Sequence, residues 1–370
     1  MAKQHRLLGL KIVDAVIGLI TILVGVALLL SYFAPLVNPN RILWFAFLGL
    51  VAPFLYVGNV LLMLYWILRW RRIAFVPIVL TLIGLLHVGK YFRPQFQREY
   101  ETAPRADGTL RVLSYNVSGF WGKNAGTDVS RMVQIAEYIA EENPDILCMQ
   151  EYEVNHINTR AYFDSVMEPL RYKAINYTIQ GKESGWGLAI YSRYRIIDKG
   201  SIVFPESTNS AMWADIVVKR DTIRVFNCHL QTTQVNEEDK SFLRDQALTD
   251  TLRQDKALGI ARKLARNFRK RAVQADSLAL HIHDGTPRVI VCGDFNDTPM
   301  SYTYGKMRGD MKDAFQQKGR GAIYTYRGLM GVFRIDYLFH TKEFETVDYQ
   351  TEQPEWSDHN PVVVDLKLKH

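Results

Sequence analysis

Three long apolar runs lie in the first quarter of this 370-residue chain and constrain its fold more than any other feature. They cover residues 12–34, 42–68 and 73–92. A helix needs roughly 20 apolar residues to cross the hydrocarbon core of a bilayer, where every backbone polar group must find its partner within the segment. Each run has that length. We therefore predict three transmembrane helices within residues 1–93, with the lipid bilayer as their partner.

A cleaved signal peptide is the alternative interpretation of the first run. Its apolar core has only about 7 to 15 residues. The first run is longer than that, and two more apolar runs follow it. The sequence therefore favours an anchor that the chain keeps.

The distribution of charged residues along the chain decides how the net charge is interpreted. The chain carries 45 Lys and Arg against 38 Asp and Glu, a formal charge of +7. Residues 1–93 contain nine basic residues and a single acid, Asp14, whereas residues 94–370 contain 36 basic and 37 acidic residues. The whole positive excess therefore belongs to the apolar quarter, and it does not indicate a nucleic-acid-binding surface on the rest of the chain.

The positions of the basic residues predict how the chain is oriented. Lys3 and Arg6 precede the first run, a cluster of three arginines at 69–72 separates the second from the third, and only Arg41 separates the first from the second. Cytoplasmic loops of membrane proteins carry the excess of Lys and Arg. We expect a cytoplasmic amino terminus, and three crossings then place residues 94–370 on the non-cytoplasmic side, periplasmic or extracellular.

Residues 94–109 are polar and predict a linker, and residues 110–370 have the pattern of a mixed α/β domain. Short β-rich runs alternate with helical stretches near 129–142 and 240–282. The β-rich runs are LRVLSY, DILCMQE, GLAIYS, AMWADIVV, IRVFNCHL, RVIVCGDF, RIDYLFH and PVVVDLKL.

Polar side chains stand at the ends of these β-rich runs. Taken singly, each is an ordinary turn residue, because Asn and Asp side chains bond to nearby backbone. Taken together they supply what a hydrolytic site needs, namely acceptors for a divalent metal, a proton acceptor, and donors aimed at developing charge. The residues are Asn116, Glu151, His229, Asp294, Asn296, Asp336, Asp358 and His359.

The motifs that carry these residues occur in a family-specific order: LSYNV, DILCMQE, FNCHL, VIVCGDFNDTP, RIDYLF and SDHNPV. In this order, across residues 110–370, the chain resembles the endonuclease/exonuclease/phosphatase superfamily, which includes deoxyribonuclease I, abasic-site endonucleases, neutral sphingomyelinases and inositol polyphosphate phosphatases. The resemblance implies a four-layer α/β/β/α sandwich, here preceded by three transmembrane helices. It also implies metal-dependent hydrolysis of phosphoester bonds.

The resemblance assigns the metal site to three residues. Glu151 resembles the principal metal-binding carboxylate, Asn116 lies beside it to orient metal or phosphate, and Asp358 resembles a further metal-site carboxylate. Carboxylate and amide oxygens suit Mg²⁺, with Mn²⁺ as an alternative, better than a metal that prefers thiolates.

The resemblance assigns catalysis to five more residues. Asp294 and Asn296 resemble the pair that positions the attacking water and the scissile phosphate. His359 resembles the catalytic imidazole, Asp336 its carboxylate partner, and His229 a second active-site histidine that donates to a phosphate oxygen or a leaving group. A carboxylate partner fixes the tautomer of the imidazole and raises its basicity.

The substrate remains open between two classes. Abasic-site endonucleases usually carry Tyr where His229 stands, and inositol polyphosphate 5-phosphatases carry a Trp-Cys-Asp-Arg type of signature where this chain reads 333–337 as FRIDY. The chain therefore lies closer to the deoxyribonuclease and sphingomyelinase branches, so that both a nuclease and a lipid-headgroup phosphodiesterase fit. A catalytically silent scaffold on the same fold is the alternative of another class. No feature of the sequence indicates a protein partner.

Three other features have open interpretations. A basic run at 262–271 predicts a solvated helix face in preference to a grip on headgroups or nucleic acid. The glycines on either side of Trp186 indicate backbone freedom or a close approach of another segment. Cys148, Cys228 and Cys292 lie in apolar β runs, which predicts buried thiols.

Overall fold

A computed structural model describes residues 2–94, 105, 107–121, 130–233, 237–244, 250–328 and 331–369. The amino-terminal region contains helices α1 (Ala2–Ser31), α2 (Trp44–Leu68) and α3 (Phe75–Val88). Two stretches in helical form, Gly9–Leu36 and Trp44–Leu68, are long and apolar enough to cross a membrane.

The prediction of three helices of membrane-spanning length is corrected at the third run. A short 3₁₀ turn at Arg72–Ala74 precedes α3, and the chain leaves the helix at Gly89 to form strand β1 (Phe92–Arg93). The 14 residues of α3 rise about 21 Å at roughly 1.5 Å per residue, which is less than the roughly 30 Å of a hydrocarbon core. The apolar run continues beyond the helix, so apolar composition alone overestimated its length.

Polar side chains in the amino-terminal helices form a salt bridge and hydrogen bonds with one another. Asp14 forms a salt bridge with Arg69 at 2.8 Å and accepts a hydrogen bond from the Tyr65 hydroxyl at 2.7 Å. The indole nitrogen of Trp66 donates to Thr21 at 2.8 Å. These contacts tie α1 to the end of α2.

Two six-stranded mixed sheets form the rest of the chain. The first has the order β13-β14-β2-β3-β5-β4 and the second the order β10-β12-β9-β8-β7-β6 when strands are numbered along the chain. The first sheet comprises β2 (Leu110–Asn116), β3 (Ile146–Val154), β4 (Tyr172–Gln180), β5 (Gly185–Ser192), β13 (Phe344–Gln350) and β14 (Val362–Leu368). The second comprises β6 (Ile196–Val203), β7 (Ser210–Val218), β8 (Asp221–His229), β9 (Val289–Asp294), β10 (Lys312–Asp313) and β12 (Asp336–His340).

Six helices and one short strand complete the described part of this region. They are α4 (Met132–Glu142), α5 (Arg160–Val166), α6 (Glu237–Arg244), α7 (Asp250–Ile282), α8 (Tyr302–Arg308), α9 (Ala314–Lys318) and β11 (Gly321–Ala322), which pairs with β1.

Three apolar clusters hold these layers together. The central cluster lies between the two sheets and joins Val112 and Ile190 of the first to Val225 and Leu338 of the second. A second cluster packs the outer face of the first sheet against α4 and α5, and a third packs the outer face of the second sheet against α7 and α8. This is the sandwich of two sheets between helices that the sequence predicted. All three cysteines are free and buried, as expected.

The amino-terminal helices contact the sandwich at α7, α8 and the loops beside them. The rings of Phe47 and Phe268 meet edge to face with centroids 5.4 Å apart. Asn38 donates to Asp276 at 3.0 Å, close to the same surface. The predicted linker cannot be assessed as a whole, since residues 95–104 and 106 lie outside the described residues.

Candidate active site

Strand pairing brings the site residues to one end of the sandwich. The parallel pairing of β8 with β9 places His229 opposite Asp294, and the antiparallel pairing of β9 with β12 places Asp336 opposite Asp294. Gly293 permits this approach at φ 130°, because a Cβ there would lie 2.0 Å from the carbonyl oxygen of Cys228. Asn116 stands at the end of β2, which pairs in parallel with β3.

Asp294 is the centre of the site. Its buried Oδ2 accepts hydrogen bonds from the side-chain amides of Asn116 and Asn296, both at 3.0 Å. Nε2 of His229 lies 3.6 Å from the same oxygen and Nε2 of His359 lies 3.7 Å from it. Five of the predicted residues therefore meet at one carboxylate oxygen.

Glu151 reaches the site from an irregular point in β3. The register between β3 and β5 shifts between Met149 and Tyr152, and Glu151 has a positive φ of 53°. Such bulges redirect a side chain out of the regular alternation. Oε1 of Glu151 accepts from Asn116 at 3.2 Å and lies 3.6 Å from Nε2 of His229.

His359 and Asp336 form the predicted pair. Nδ1 of His359 lies 3.0 Å from Oδ2 of Asp336, and since an ionised carboxylate can only accept, Nδ1 is the donor. Ser357 accepts from the backbone amide of His359 at 3.1 Å and donates to the carbonyl of Asn116 at 2.7 Å. The Tyr326 ring lies 5.1 Å from the imidazole, centroid to centroid. These contacts hold the ring so that Nε2 faces Asp294.

Burial and crowding shift the pKa values of these groups in different directions. Burial raises the pKa of Glu151 to about 7, with Asp358 adding repulsion, and burial raises that of Asp294 to about 8. Burial and the charge of His359 lower the pKa of His229 to about 3. Burial opposes protonation of His359 as well, but Asp336 and Asp294 outweigh it and raise the pKa well above its usual value.

The donor set fits a divalent cation. Ligand atoms of Asp294, Asp336 and His359 lie within 4.8 Å of one another. Nε2 of His229 is buried without a hydrogen-bond partner in the described part of the chain. The raised pKa values of Glu151 and Asp294 show that ionisation of these crowded acids is unfavourable without a counterion, and a cation bound by their oxygens would stabilise the ionised forms.

The metal site assigned by resemblance, Glu151, Asn116 and Asp358, is a different set of residues from this close group and stays a prediction. The close group contains three residues to which the sequence analysis gave catalytic roles, whereas Glu151 and Asn116 lie beside it, joined by their hydrogen bond. Asp358 is half-buried, and its backbone carbonyl accepts from the amide of Arg327. Its charge acts on Glu151 and His359, but its side chain is not part of the close group of three.

Sequence reasoning missed the residues that support the site from behind. Arg271 is fully buried, and its Nε donates to Asp297 at 3.2 Å, three residues after Asp294. The hydroxyl of Thr325 accepts from the backbone amide of Asp336 at 3.0 Å. Asp297 was visible within the GDFND motif and Arg271 within the basic run, but only their contact shows that they work together.

The structure shows where the basic run at 262–271 and the glycines beside Trp186 lie. Of the basic run, Lys263 pairs with Asp239 at 2.6 Å, and Lys270 donates to the carbonyl of Glu206 at 3.0 Å. The glycines beside Trp186 reflect a close approach, because a Cβ at Gly187 would lie 2.0 Å from the carbonyl oxygen of Asn176.

Comparison with known proteins agrees with this fold. The endonuclease/exonuclease/phosphatase family model matches residues 113–359, more than half of the chain, and the chain belongs to this family. A model of a domain of unknown function matches residues 14–91. No curated protein matches the chain.

Two solved structures share the fold at low sequence identity. An endonuclease/exonuclease/phosphatase from Beutenbergia cavernae DSM 12333 is 18% identical, with 70% of this chain and 72% of that chain covered, at a TM-score of 0.53. The human Nocturnin catalytic domain, solved with a bound sulfate anion, is also 18% identical, with 75% and 99% covered, at a TM-score of 0.51.

Proposed function

We propose that this chain hydrolyses phosphodiester bonds with the help of a divalent cation, Mg²⁺ or Mn²⁺. Members of its family are phosphoester hydrolases. The observation that carries the proposal is the convergence of Asn116, His229, Asn296 and His359 on one oxygen of Asp294, with Asp336 behind His359. A silent scaffold has no use for so many buried charges, each of which opposes folding unless it is compensated.

Each of these residues has a separate role in an in-line displacement at the phosphorus atom. Asp294, Asp336 and Glu151 would hold the cation through their carboxylate oxygens, and the cation would offset charge on the phosphoryl group. Asp294 also accepts the proton of an attacking water, and Asn296 orients that water through its amide. His359, held protonated by Asp336 and Asp294, places a positive charge beside the developing negative charge. Neutral His229 donates from its ring to a phosphate oxygen or the leaving group.

Two alanine variants test this assignment. The purified full chain, in detergent, is assayed on bis(p-nitrophenyl) phosphate with Mg²⁺, Mn²⁺ or EDTA. We expect Glu151→Ala and His359→Ala to lose turnover, while Glu168→Ala and His283→Ala, on exposed surface, retain it. Turnover in EDTA would refute the role of the cation, and an active His359→Ala variant would refute the site.

The substrate class is settled by a second panel. Plasmid DNA, RNA, abasic duplex, sphingomyelin and phosphoinositides are compared at equal phosphodiester concentration. The near-neutral charge of residues 94–370 gives little attraction for a duplex, whose binding relies on many Lys and Arg contacts. Preferred cleavage of sphingomyelin would establish the lipid-headgroup activity, and preferred cleavage of DNA or RNA the nuclease activity.

We further propose that the amino-terminal helices anchor the chain in a membrane, with the amino terminus and the 69–72 loop cytoplasmic. Residues 94–370, called the catalytic region below, lie on the opposite side. Two helices have the length and composition for this anchor. The Asp14–Arg69 salt bridge holds α1 and the α2–α3 loop together at one end. The α1–α2 loop contacts the catalytic region at the other end, through Asn38 and Asp276.

Single cysteines test the orientation. The natural cysteines are buried, so they give a low labelling background. Trp70→Cys, at a site 94% exposed, and Lys182→Cys, on the exposed turn between β4 and β5, are treated in intact cells with a membrane-impermeant maleimide. We expect label on the cysteine at 182 and none on the one at 70 before lysis. The reverse pattern would overturn the proposed topology.

A further inference from the structure

An apolar groove lies where the amino-terminal helices meet the catalytic region. Its volume is about 290 Å³, close to the lower end of small-molecule sites, roughly 300 Å³. Its walls include Ala52 and Val57 of α2, Gly84 and His87 of α3, and Met300, which follows the GDFND motif. The active site does not use this groove.

The groove walls are fixed by close packing of rings. A Cβ at Gly84 would lie 2.3 Å from Cε2 of Tyr56 and 2.5 Å from the hydroxyl of Tyr32. The absence of that atom therefore lets both tyrosines lie against the backbone of α3. The Tyr32 hydroxyl donates to the carbonyl of Leu80 at 3.1 Å, and its ring stacks on His87 at 4.9 Å. These contacts keep the groove from collapsing onto itself.

The surroundings of the groove identify what can enter it. Apolar side chains on α2 and α3 are exposed here: Val57 of the wall is 59% exposed, and Phe54 and Leu86, next in sequence to lining residues, are 49% and 81% exposed. Ala52 lies eight residues after Trp44, about 12 Å along the helix at roughly 1.5 Å per residue. In the proposed anchor this depth lies within the hydrocarbon layer, where acyl chains are the abundant apolar molecules.

Two polar atoms of the groove-lining residues lack a partner within the described residues, the hydroxyl of Tyr91 and Nδ1 of His87. Nδ1 of His87 is buried and makes no hydrogen bond within the described residues. A buried polar atom without a partner is unfavourable, and a ligand that bonds to it gains affinity. In the neutral tautomer that carries its hydrogen on Nδ1, this nitrogen can donate a hydrogen bond. The ester carbonyl of a phospholipid is an acceptor for such a bond. The groove thus combines apolar walls with a buried nitrogen that has no partner among the described residues, which matches the junction of acyl chain and glycerol.

We propose that the groove binds one acyl chain of a bilayer phospholipid, with its ester carbonyl at His87. This inference rests on the proposed membrane anchoring. Met300 forms part of the wall, and its carbonyl oxygen would lie 2.1 Å from a Cβ at Gly49. The bound acyl chain would therefore contact the protein segment that joins the GDFND motif to α8 (Tyr302–Arg308).

A photolabelling experiment tests the groove. The full chain is placed in phosphatidylcholine nanodiscs containing a phosphatidylcholine with a diazirine on one acyl chain, irradiated, and mapped by mass spectrometry. We expect adducts to concentrate on peptides containing residues 52–57 and 84–91. Val57→Phe, which fills the groove from an exposed position, should lower this labelling at least threefold. Val51→Phe is the matched control, since it makes the same change on the same helix outside the groove, and should leave labelling unchanged.

A comparison of ester-linked and ether-linked lipid probes tests the contact between the ester carbonyl and His87. An ether-linked probe lacks the carbonyl, so it should label the wild-type groove more weakly than the ester-linked probe. In His87→Phe, which keeps a ring for stacking on Tyr32 but loses Nδ1, the two probes should label equally. Equal labelling by the two probes in the wild type would refute the contact with His87.

Other outcomes separate the groove from the anchor. Adducts spread evenly over exposed apolar positions such as Leu61, with no effect of Val57→Phe, would overturn the groove proposal alone. Adducts replaced by a dimer whose contact contains residue 57 would assign the groove to a second copy and overturn it as well. Release of the chain from cell membranes by alkaline carbonate would overturn the proposed anchoring, and the groove proposal with it.

Discussion

The amino-terminal helices and the catalytic region deal with charge in opposite ways. In the first, the single acid Asp14 has Arg69 and Arg71 within 3.4 Å. In the second, Asp294, Asp336 and Glu151 lie together with one protonated histidine. The first arrangement neutralises charge within the fold. The second crowds several buried acids together, which opposes their ionisation, and a bound cation would stabilise their ionised forms.

The two regions also place apolar side chains differently. Large apolar residues of α1 and α2, such as Leu19 at 59% and Leu61 at 62%, are exposed. In the catalytic region, apolar side chains of the same size fill the space between the sheets. The difference agrees with the proposed membrane anchor, and the predictions below test which residues stabilise the fold and which serve function.

The largest effect is expected at the centre of the site. Asp294→Asn keeps the shape of the side chain but removes the charge that binds the cation and accepts a proton. We expect kcat to fall about 1000-fold, within the range of roughly 10²- to 10⁴-fold typical of such groups. The assay is hydrolysis of bis(p-nitrophenyl) phosphate with Mg²⁺. A fall of less than tenfold would remove Asp294 from the centre of the mechanism.

The same variant should be more stable than the wild type in EDTA. The pKa of Asp294 is raised to about 8 in the folded protein, so the stability linked to its proton is fully present below about pH 4 and is lost as the pH rises to about 8. Asn does not titrate, and the advantage of the variant in Tm should therefore grow between pH 5 and pH 8. In the control Asp215→Asn, which weakens a pair with Arg224 at 2.8 Å, Tm should fall at both pH values.

Mg²⁺ affinity should increase with pH. The cation binds ionised carboxylates, whereas the pKa values of Glu151 and Asp294 are raised to about 7 and about 8. Each proton released on binding contributes up to about a tenfold rise in affinity per pH unit. Calorimetric titration at pH 6, 7 and 8 measures the trend, and Glu151→Gln should flatten it between pH 6 and 7. A pH-independent affinity would contradict the proposed ligand set.

Breaking a buried ion pair should test how much a compensated buried charge contributes to the stability of the fold. Arg334 and Asp313 are bonded at 2.7 Å with side chains 1% and 0% exposed. Arg334→Gln would leave the Asp313 charge uncompensated, at a cost of about 3 to 5 kcal/mol. Thermal unfolding checks this. The matched change Arg171→Gln, in a pair at 3.8 Å with both side chains more than two-thirds exposed, should cost at most about 1 kcal/mol. Equal losses would contradict the distinction.

Much of the site was predictable because its residues occur in short motifs at strand ends. Motif order located Asp294, Asp336 and His359, and alternating apolar runs located the strands. The contact between Arg271 and Asp297 was not predictable, because their 26 residues of separation carry no periodic signal. Nor was the bulge at Glu151, because register depends on pairing with β5.

The length of the third helix was misjudged for a similar reason. Hydropathy reports composition, and two aromatic residues, Tyr91 and Phe92, follow within four residues of the end of α3 at Val88. The chain leaves the helix to make contacts with the catalytic region, where the carbonyl of Lys90 accepts from Arg334 at 3.0 Å. A window of local sequence contains no information about that partner.

The smallest effect is expected where the two regions meet. Phe47→Leu keeps an apolar side chain but removes the edge-to-face contact with Phe268, whose ring centroid lies 5.4 Å away. Such a ring pair contributes about 0.5 to 1.5 kcal/mol beyond buried area, so Tm of the catalytic region should fall by a few degrees, with activity kept. Phe54→Leu, at a position 49% exposed, should leave Tm unchanged. If both variants unfold alike, the ring pair of Phe47 and Phe268 does not stabilise the catalytic region, and the remaining contacts, such as that between Asn38 and Asp276, account for any stability that the junction supplies.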